Sequence, residues 1–163
     1  MAVVVAIQGP SDSGKTTLIE RLIPRLAGRG LKVGVIKHTH EGFVLDQRGK
    51  DSQRFWEAGA QAVLVAGPQE LFLRQRAADS SLSTLLDQLP HGLDYVLIEG
   101  FAKTAGMVDV PVAVRVELST AGTRLNGRMV SSDATLGAVE EAVMDCLREH
   151  PTDSGVWQGD ERR

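Results

Sequence analysis

Apolar positions along the chain follow two rhythms that alternate. Ala2-Val3-Val4-Val5-Ala6-Ile7 is an unbroken, β-branched run, the pattern of a strand buried on both faces. After a short polar turn, Leu18, Ile19, Leu22, Ile23 and Leu26 recur at helical spacing, and Gly28 and Gly30 mark the stop. Pro24 falls inside that pattern, where its missing N–H and its ring predict a kink in the last turn. Lys32 to Lys37 reads as a second strand running into His38-Thr39-His40, followed by a polar loop through Asp46 and Gly49. Asp51 or Ser52 is placed to cap a short helix carrying Phe55, Trp56 and Ala58, closed by Gly59. Ala62 to Ala66 predicts a third strand, and Leu71-Phe72-Leu73 another short one at an edge or in a hairpin.

Ser81 or Ser83 then opens a helix with Leu82, Leu85, Leu86 and Leu89. Tyr95-Val96-Leu97-Ile98 is a buried strand and Val112 to Val116 another; a final helix runs from about Leu136 to Glu149. Strands alternating with helices predict an α/β fold, a mainly parallel sheet with helices on both faces. Residues 1–150 read as one domain, and 151–163 as a flexible polar tail. The sequence shows no internal repeat.

The turn after the first strand carries specific chemistry. Gly9-Pro10-Ser11-Asp12-Ser13-Gly14-Lys15-Thr16 matches G-x-x-x-x-G-K-[ST] without a mismatch, between a predicted strand and a predicted helix. Gly9 and Gly14 permit backbone angles that turn successive N–H groups around an anion. The stretch from Gly9 through Ser11, Asp12, Ser13, Gly14, Lys15, Thr16 and Thr17 is therefore a phosphate grip: Lys15 reaches the terminal phosphates and the Thr16 hydroxyl is placed for Mg²⁺. This P-loop predicts the three-layer architecture of P-loop NTPases. Pro10 stands where ATPases that dimerise across a deviant loop carry an extra lysine, which disfavours that subgroup.

Ligands of open α/β sheets bind at the carboxyl ends of the strands, so the polar residues there come next. Glu99 ends four apolar residues, the pattern of a strand whose acid approaches Mg²⁺ through water; the bland alternative is an acid at a solvated strand end. His38 and His40 share one side if the strand continues, and either contact phosphate, a second ligand or a transition metal, or are solvated. Asp46 lies where loops of such folds place a group that senses the γ-phosphate or positions water, which makes Lys15, Asp46 and Glu99 the catalytic candidates. Asp51 is equally a helix cap. Asp133, after Val130-Ser131-Ser132, either accepts from the N1–H and N2 amine of guanine or caps the last helix. No Asn-Lys-x-Asp guanine-reading motif occurs, and no Gln or Arg stands out as a hydrolysis catalyst, so intrinsic turnover is expected to be slow.

Composition narrows the classes. A net charge of −3 gives no footprint for general nucleic-acid binding. The single cysteine, Cys146, makes no intramolecular disulfide and falls with Val139, Val143 and Leu147 on one helix face, which predicts core packing. No apolar stretch approaches the ~20 residues of a membrane span. The opening residues lack a basic stretch, and removal of the first apolar run would delete the P-loop strand; a cytoplasmic protein is expected.

Together, the P-loop followed by Thr17, Val35-Ile36-Lys37-His38-Thr39-His40, Asp46-x-x-Gly49-Lys50-Asp51-Ser52-x-Arg54, Ala58-Gly59-Ala60 and Leu97-Ile98-Glu99-Gly100-Phe101 resemble the MobB family, the adaptors of molybdopterin-guanine dinucleotide biosynthesis. The match runs from Val3 to about Val116. The resemblance implies a GTP-binding protein with weak GTPase activity that assists the guanylyltransferase (MobA) in attaching GMP to molybdopterin, and a homodimer pairing through β-structure. It implies GTP phosphates on residues 9–17, Mg²⁺ at Thr16 and Glu99, and His38, His40, Asp46, Lys50, Asp51 and Arg54 along the face near the nucleotide. Pro111 and Arg115 agree with the family spacing, whereas Ala102 intervenes where a basic residue usually follows Phe101, before Lys103.

Two other classes share these features. A small-molecule kinase begins with the same strand, loop and helix, but adds an arginine lid, and Arg74 and Arg76 lie in what reads as a strand and turn. A metallochaperone GTPase would use His38 and His40 to deliver metal, without a His-rich tract or Cys-x-x-Cys here to support it.

Overall fold

The structure is a computed structural model that describes residues 2–39, 50–77, 81–101, 110–131, 135–150 and 152. Its elements in chain order are β1 (Val3–Gln8), α1 (Lys15–Ala27), β2 (Val33–Lys37), α2 (Asp51–Glu57), β3 (Ala62–Ala66), β4 (Leu71–Gln75), α3 (Leu82–Asp87), β5 (Tyr95–Glu99), β6 (Val114–Ser119), β7 (Gly122–Leu125), β8 (Arg128–Ser131) and α4 (Leu136–Arg148). They gather in two compact units, Met1–His38 with Ser81–Arg163, and Thr39–Ser80.

The first unit is built on a six-stranded sheet in the order β2-β5-β1-β6-β7-β8. The first four strands run parallel, and β7 and β8 add antiparallel neighbours at one end. Strand pleating sorts the side chains by face. Val5, Ile7, Tyr95, Leu97, Val114, Val116 and Leu118 meet Leu18, Leu22 and Leu26 of α1 and Val139, Val143 and Leu147 of α4. Val4, Val96 and Ile98 point the other way, onto Leu82, Leu85 and Leu86 of α3 and Leu89 just after it. The α/β architecture with helices on both faces of a mainly parallel sheet is therefore the observed one. Each fully buried Leu or Ile contributes about 1.5–3 kcal/mol to holding these layers together.

Register fixes what comes together at the sheet's carboxyl edge. Ile7 of β1 and Lys37 of β2 both stand opposite Glu99 of β5, so the chain leaves three adjacent parallel strands at one level. That edge is where the P-loop begins.

Pro24 lies inside α1, which runs to Ala27 and ends at its C-cap Gly28, where the sequence marks the stop. The helix caps differ in part from expectation. Lys50, not Asp51 or Ser52, occupies the cap position of α2, and no side chain caps it. The last helix is capped by Thr135, whose hydroxyl accepts from the Ala138 N–H, so Asp133 is not its cap. Ser81 caps α3 as anticipated, and Gly59 closes α2 at φ 104°. Strand β7 and the start of β8 were not marked by apolar periodicity; Asn126 (φ 49°) and Gly127 (φ 80°) make the tight turn between them.

The second unit pairs α2 with the antiparallel hairpin β3–β4, in which Leu64 faces Leu73 and Val63 faces Arg74. Leu71-Phe72-Leu73 is thus a hairpin strand. The polar tail lies outside the described residues apart from Thr152, as does the loop through Asp46 and Gly49. Among the described residues, no helix is long and apolar enough to cross a membrane.

Candidate functional site

The loop between β1 and α1 owes its shape to positions that only small or permissive residues fill. A Cβ on Gly9 would lie 2.5 Å from the Leu118 carbonyl oxygen and 2.8 Å from Ser13 Oγ, so the chain passes there only as glycine. Asp12 takes a left-handed conformation (φ 59°), and Gly14 does the same (φ 88°) at the N-cap of α1. The first intrahelical bond is Leu18 N–H to Gly14 C=O. No side chain caps α1 and no acid sits in its first turn, so the amides of Lys15, Thr16 and Thr17 present donors and the positive end of the helix dipole to whatever lies above them.

Two side chains complete the concavity. Lys15 folds its ammonium back over the loop and donates to the Pro10 carbonyl. Ser13 Oγ is buried and has no hydrogen-bond partner among the described residues, an orphan polar atom within a ring of donors. The uncapped amides at the start of α1 and the unpartnered Ser13 hydroxyl fit a polyphosphate. Ser11 lies in the exposed part of the turn, and the Thr17 side chain is exposed on the first turn of α1.

Thr16 Oγ1 donates to Glu99 Oε2 at 3.2 Å. The second carboxylate oxygen lies 3.6 Å from Lys37 Nζ, and the Glu99 side chain keeps 13% of its accessible surface. A hydroxyl and a carboxylate are hard oxygen donors, a set that suits Mg²⁺. His38 continues β2, its N–H donating to the Glu99 carbonyl oxygen at 2.9 Å. Its ring stacks on Phe101 with centroids 4.1 Å apart, and Phe101 is buried in the core on the α3 side. Gly100 (φ 103°) makes that crossing possible, because a Cβ there would meet the His38 carbonyl oxygen at 2.6 Å. The close approach that Gly100 permits is thus to the neighbouring backbone.

Lys50, Asp51 and Arg54 belong to the second unit. Asp51 pairs with Arg54 at 3.3 Å, both side chains exposed, and Lys50, Asp51 and Ser52 with Phe55, Val63, Leu64, Val65 and Ala66 line a shallow cleft of about 460 Å³. His40, Asp46, Asp133 and Lys103 lie outside the described residues. Two participants were not singled out as such in the sequence. Lys37 is the counter-charge of Glu99, legible only once the register between β2 and β5 is known. Gln8, last in β1 and 8% exposed, accepts from Arg115 Nη1 at 3.0 Å, which ties the root of the loop to β6.

The family model described as "MobB: Molybdopterin guanine dinucleotide synthesis protein B" matches residues 4–131. The molybdopterin-guanine dinucleotide biosynthesis adapter protein of Haemophilus influenzae is 43% identical over 100 residues, covering 60% of this chain and 56% of that protein. The Escherichia coli protein of the same description is 39% identical over 105 residues, covering 62% and 60%. The match therefore spans somewhat over half the length of these curated relatives. Among solved structures, the crystal structure of Bacillus subtilis MobB superposes with a TM-score of 0.54 at 32% identity, over 72% of this chain and 68% of that one.

Proposed function

The chain belongs to the MobB family, and from that premise we propose that it is a GTP-binding adapter in molybdopterin guanine dinucleotide biosynthesis, with weak GTPase activity. The observation that carries the reading is the uncapped P-loop with Thr16 and Glu99 in contact beside it. In this account the amides of residues 13–17 and the Ser13 hydroxyl donate to the phosphate oxygens. Lys15 exchanges its Pro10 carbonyl for the terminal phosphates, a swap of a neutral acceptor for an anionic one that roughly doubles the strength of the bond. Thr16 Oγ1 would hold Mg²⁺ directly and Glu99 through water, while Lys37 fixes the carboxylate from its other side. When bound, the metal supplies charge neutralisation on the phosphates. Asp46 would sense the γ-phosphate or orient water, and Asp133 would read guanine.

Turnover in this account is slow, and the nucleotide acts as a loading signal. The loaded form docks with a MobA-like guanylyltransferase and helps position molybdopterin, and the working species is a homodimer. The exposed apolar face of the β3–β4 hairpin, with Leu64, Leu71 and Leu73 each more than half exposed, supports a β-structured subunit contact. Co-purification with a guanylyltransferase tests the reading. Retention increased by GTP, not by GDP, and lost in Lys15→Ala is the expected result; nucleotide-independent retention, or none, overturns it.

A further inference from the structure

The geometry points to a separate anion-binding site on the second unit, formed by Arg74 and Arg76 stacked on Trp56, for a phosphate-bearing small molecule. The guanidinium carbons of Arg74 and Arg76 lie 4.2 and 4.3 Å from the centroid of the Trp56 ring. Two like charges are thus held against one indole, whose electron-rich face offsets part of their repulsion. Among the described residues, neither arginine has a carboxylate partner. Among the described residues of this unit, Asp51 is taken by Arg54, Glu57 accepts from the Gln53 amide at 2.7 Å, and Glu70 lies in the hairpin turn.

The cations are also positioned. Arg74 Nη1 donates to Gln53 Oε1 at 2.6 Å, and because the Gln53 amide nitrogen is engaged with Glu57, its oxygen is fixed toward Arg74. Arg76 Nη2 donates to the Trp56 carbonyl oxygen at 3.4 Å. Each guanidinium spends one nitrogen on a neutral acceptor and keeps its remaining N–H groups. An ammonium would not give this planar fork, which matches phosphate oxygens pairwise. A dianion that both guanidiniums reach relieves more of their mutual repulsion than a single carboxylate does, so the favoured ligand carries phosphate or pyrophosphate. The site uses no P-loop residue and stands apart from the nucleotide reading.

The chain supplies its own reporter, because its two tryptophans are Trp56 and Trp157. In full-length Trp157→Phe protein, pyrophosphate is titrated at constant ionic strength with Trp56 emission as the readout, and orthophosphate, chloride and an acidic peptide are run in parallel. The expected result is a saturable change with pyrophosphate, weaker with orthophosphate, that survives Lys15→Ala. In Arg74→Gln/Arg76→Gln the apparent affinity should fall by about tenfold or more, the loss of charge-assisted hydrogen bonds. Arg74→Lys/Arg76→Lys keeps the charge on the indole and decides the matter should the glutamine pair misfold. It should bind pyrophosphate more weakly with an unchanged circular dichroism spectrum. An unsaturable response, an equal chloride effect, loss of the signal in Lys15→Ala, binding of the acidic peptide alone, or native affinity in the lysine pair would each overturn the assignment.

Discussion

Thr16 Oγ1 and Glu99 Oε2 stand 3.2 Å apart although 83 residues separate them in sequence. The contact exists because β5 inserts between β2 and β1, so the acid at its end arrives beside the first turn of α1. Glu99 is paired on both oxygens, with Thr16 on one and Lys37 on the other.

That pairing predicts separable effects. Thr16→Val removes a direct oxygen donor and should weaken magnesium-dependent nucleotide binding by about tenfold or more, the value of a hydrogen-bonded or ligating charged contact. Glu99→Gln should act in the same direction and less strongly, since it would act through water. Titration of the nucleotide at several Mg²⁺ concentrations checks both: the variants should approach native affinity as the metal is raised.

Gly100→Ala should be destabilising well beyond an ordinary surface change. The new methyl group would meet the His38 carbonyl oxygen at 2.6 Å in a backbone conformation (φ 103°) that L-residues avoid. Strain and displacement of the strand ends together should cost about 1–3 kcal/mol, read by urea denaturation.

Much of this was legible in the sequence because local and global signals agree. The apolar runs of β1 and β5 and the helical stripe of α1 place the P-loop without any structure. What was not legible is of two kinds. Register is non-local: nothing in the sequence sets Lys37 level with Glu99, and that pairing follows from the order of strands. Cap competition is the other: Thr135 and Lys50 took positions that Asp133 and Asp51 equally suited, because a cap is decided by where the helix can begin packing, not by side-chain preference alone. Strand β7 has one apolar residue in four, too few for periodicity, and its real signal was the Asn126-Gly127 turn.

The core between α1, α4 and the sheet should tolerate little loss of volume. Leu22 is fully buried among residues of all three elements. Leu22→Ala should destabilise by about 2–5 kcal/mol, the sum of lost transfer energy and the cavity left behind. Nucleotide affinity of the fraction that remains folded should stay close to native.

Cys146 should be a slow nucleophile. It packs against the α4 side of the core, accepts from Asn126 Nδ2 at 3.6 Å, and burial raises its thiol above the ordinary range, with Glu149 adding to the effect. A raised pKa means the folded chain holds this proton more tightly than the unfolded one. The associated stability is therefore present below the usual thiol pKa and declines as pH climbs past it. Alkylation should be slow at neutral pH and accelerate on unfolding in denaturant; rapid stoichiometric reaction of the native protein at pH 7 would contradict it.

The most direct test is calorimetric titration of GTP with Mg²⁺ against the native chain and Lys15→Ala, with ATP as the competitor. The account predicts one saturable site that prefers the guanine nucleotide, and an affinity loss of about tenfold or more in a variant that keeps its circular dichroism and melting behaviour. Equal GTP affinity in the two proteins, or no binding to the native chain, would contradict a phosphate-gripping loop and with it the nucleotide-loaded adapter.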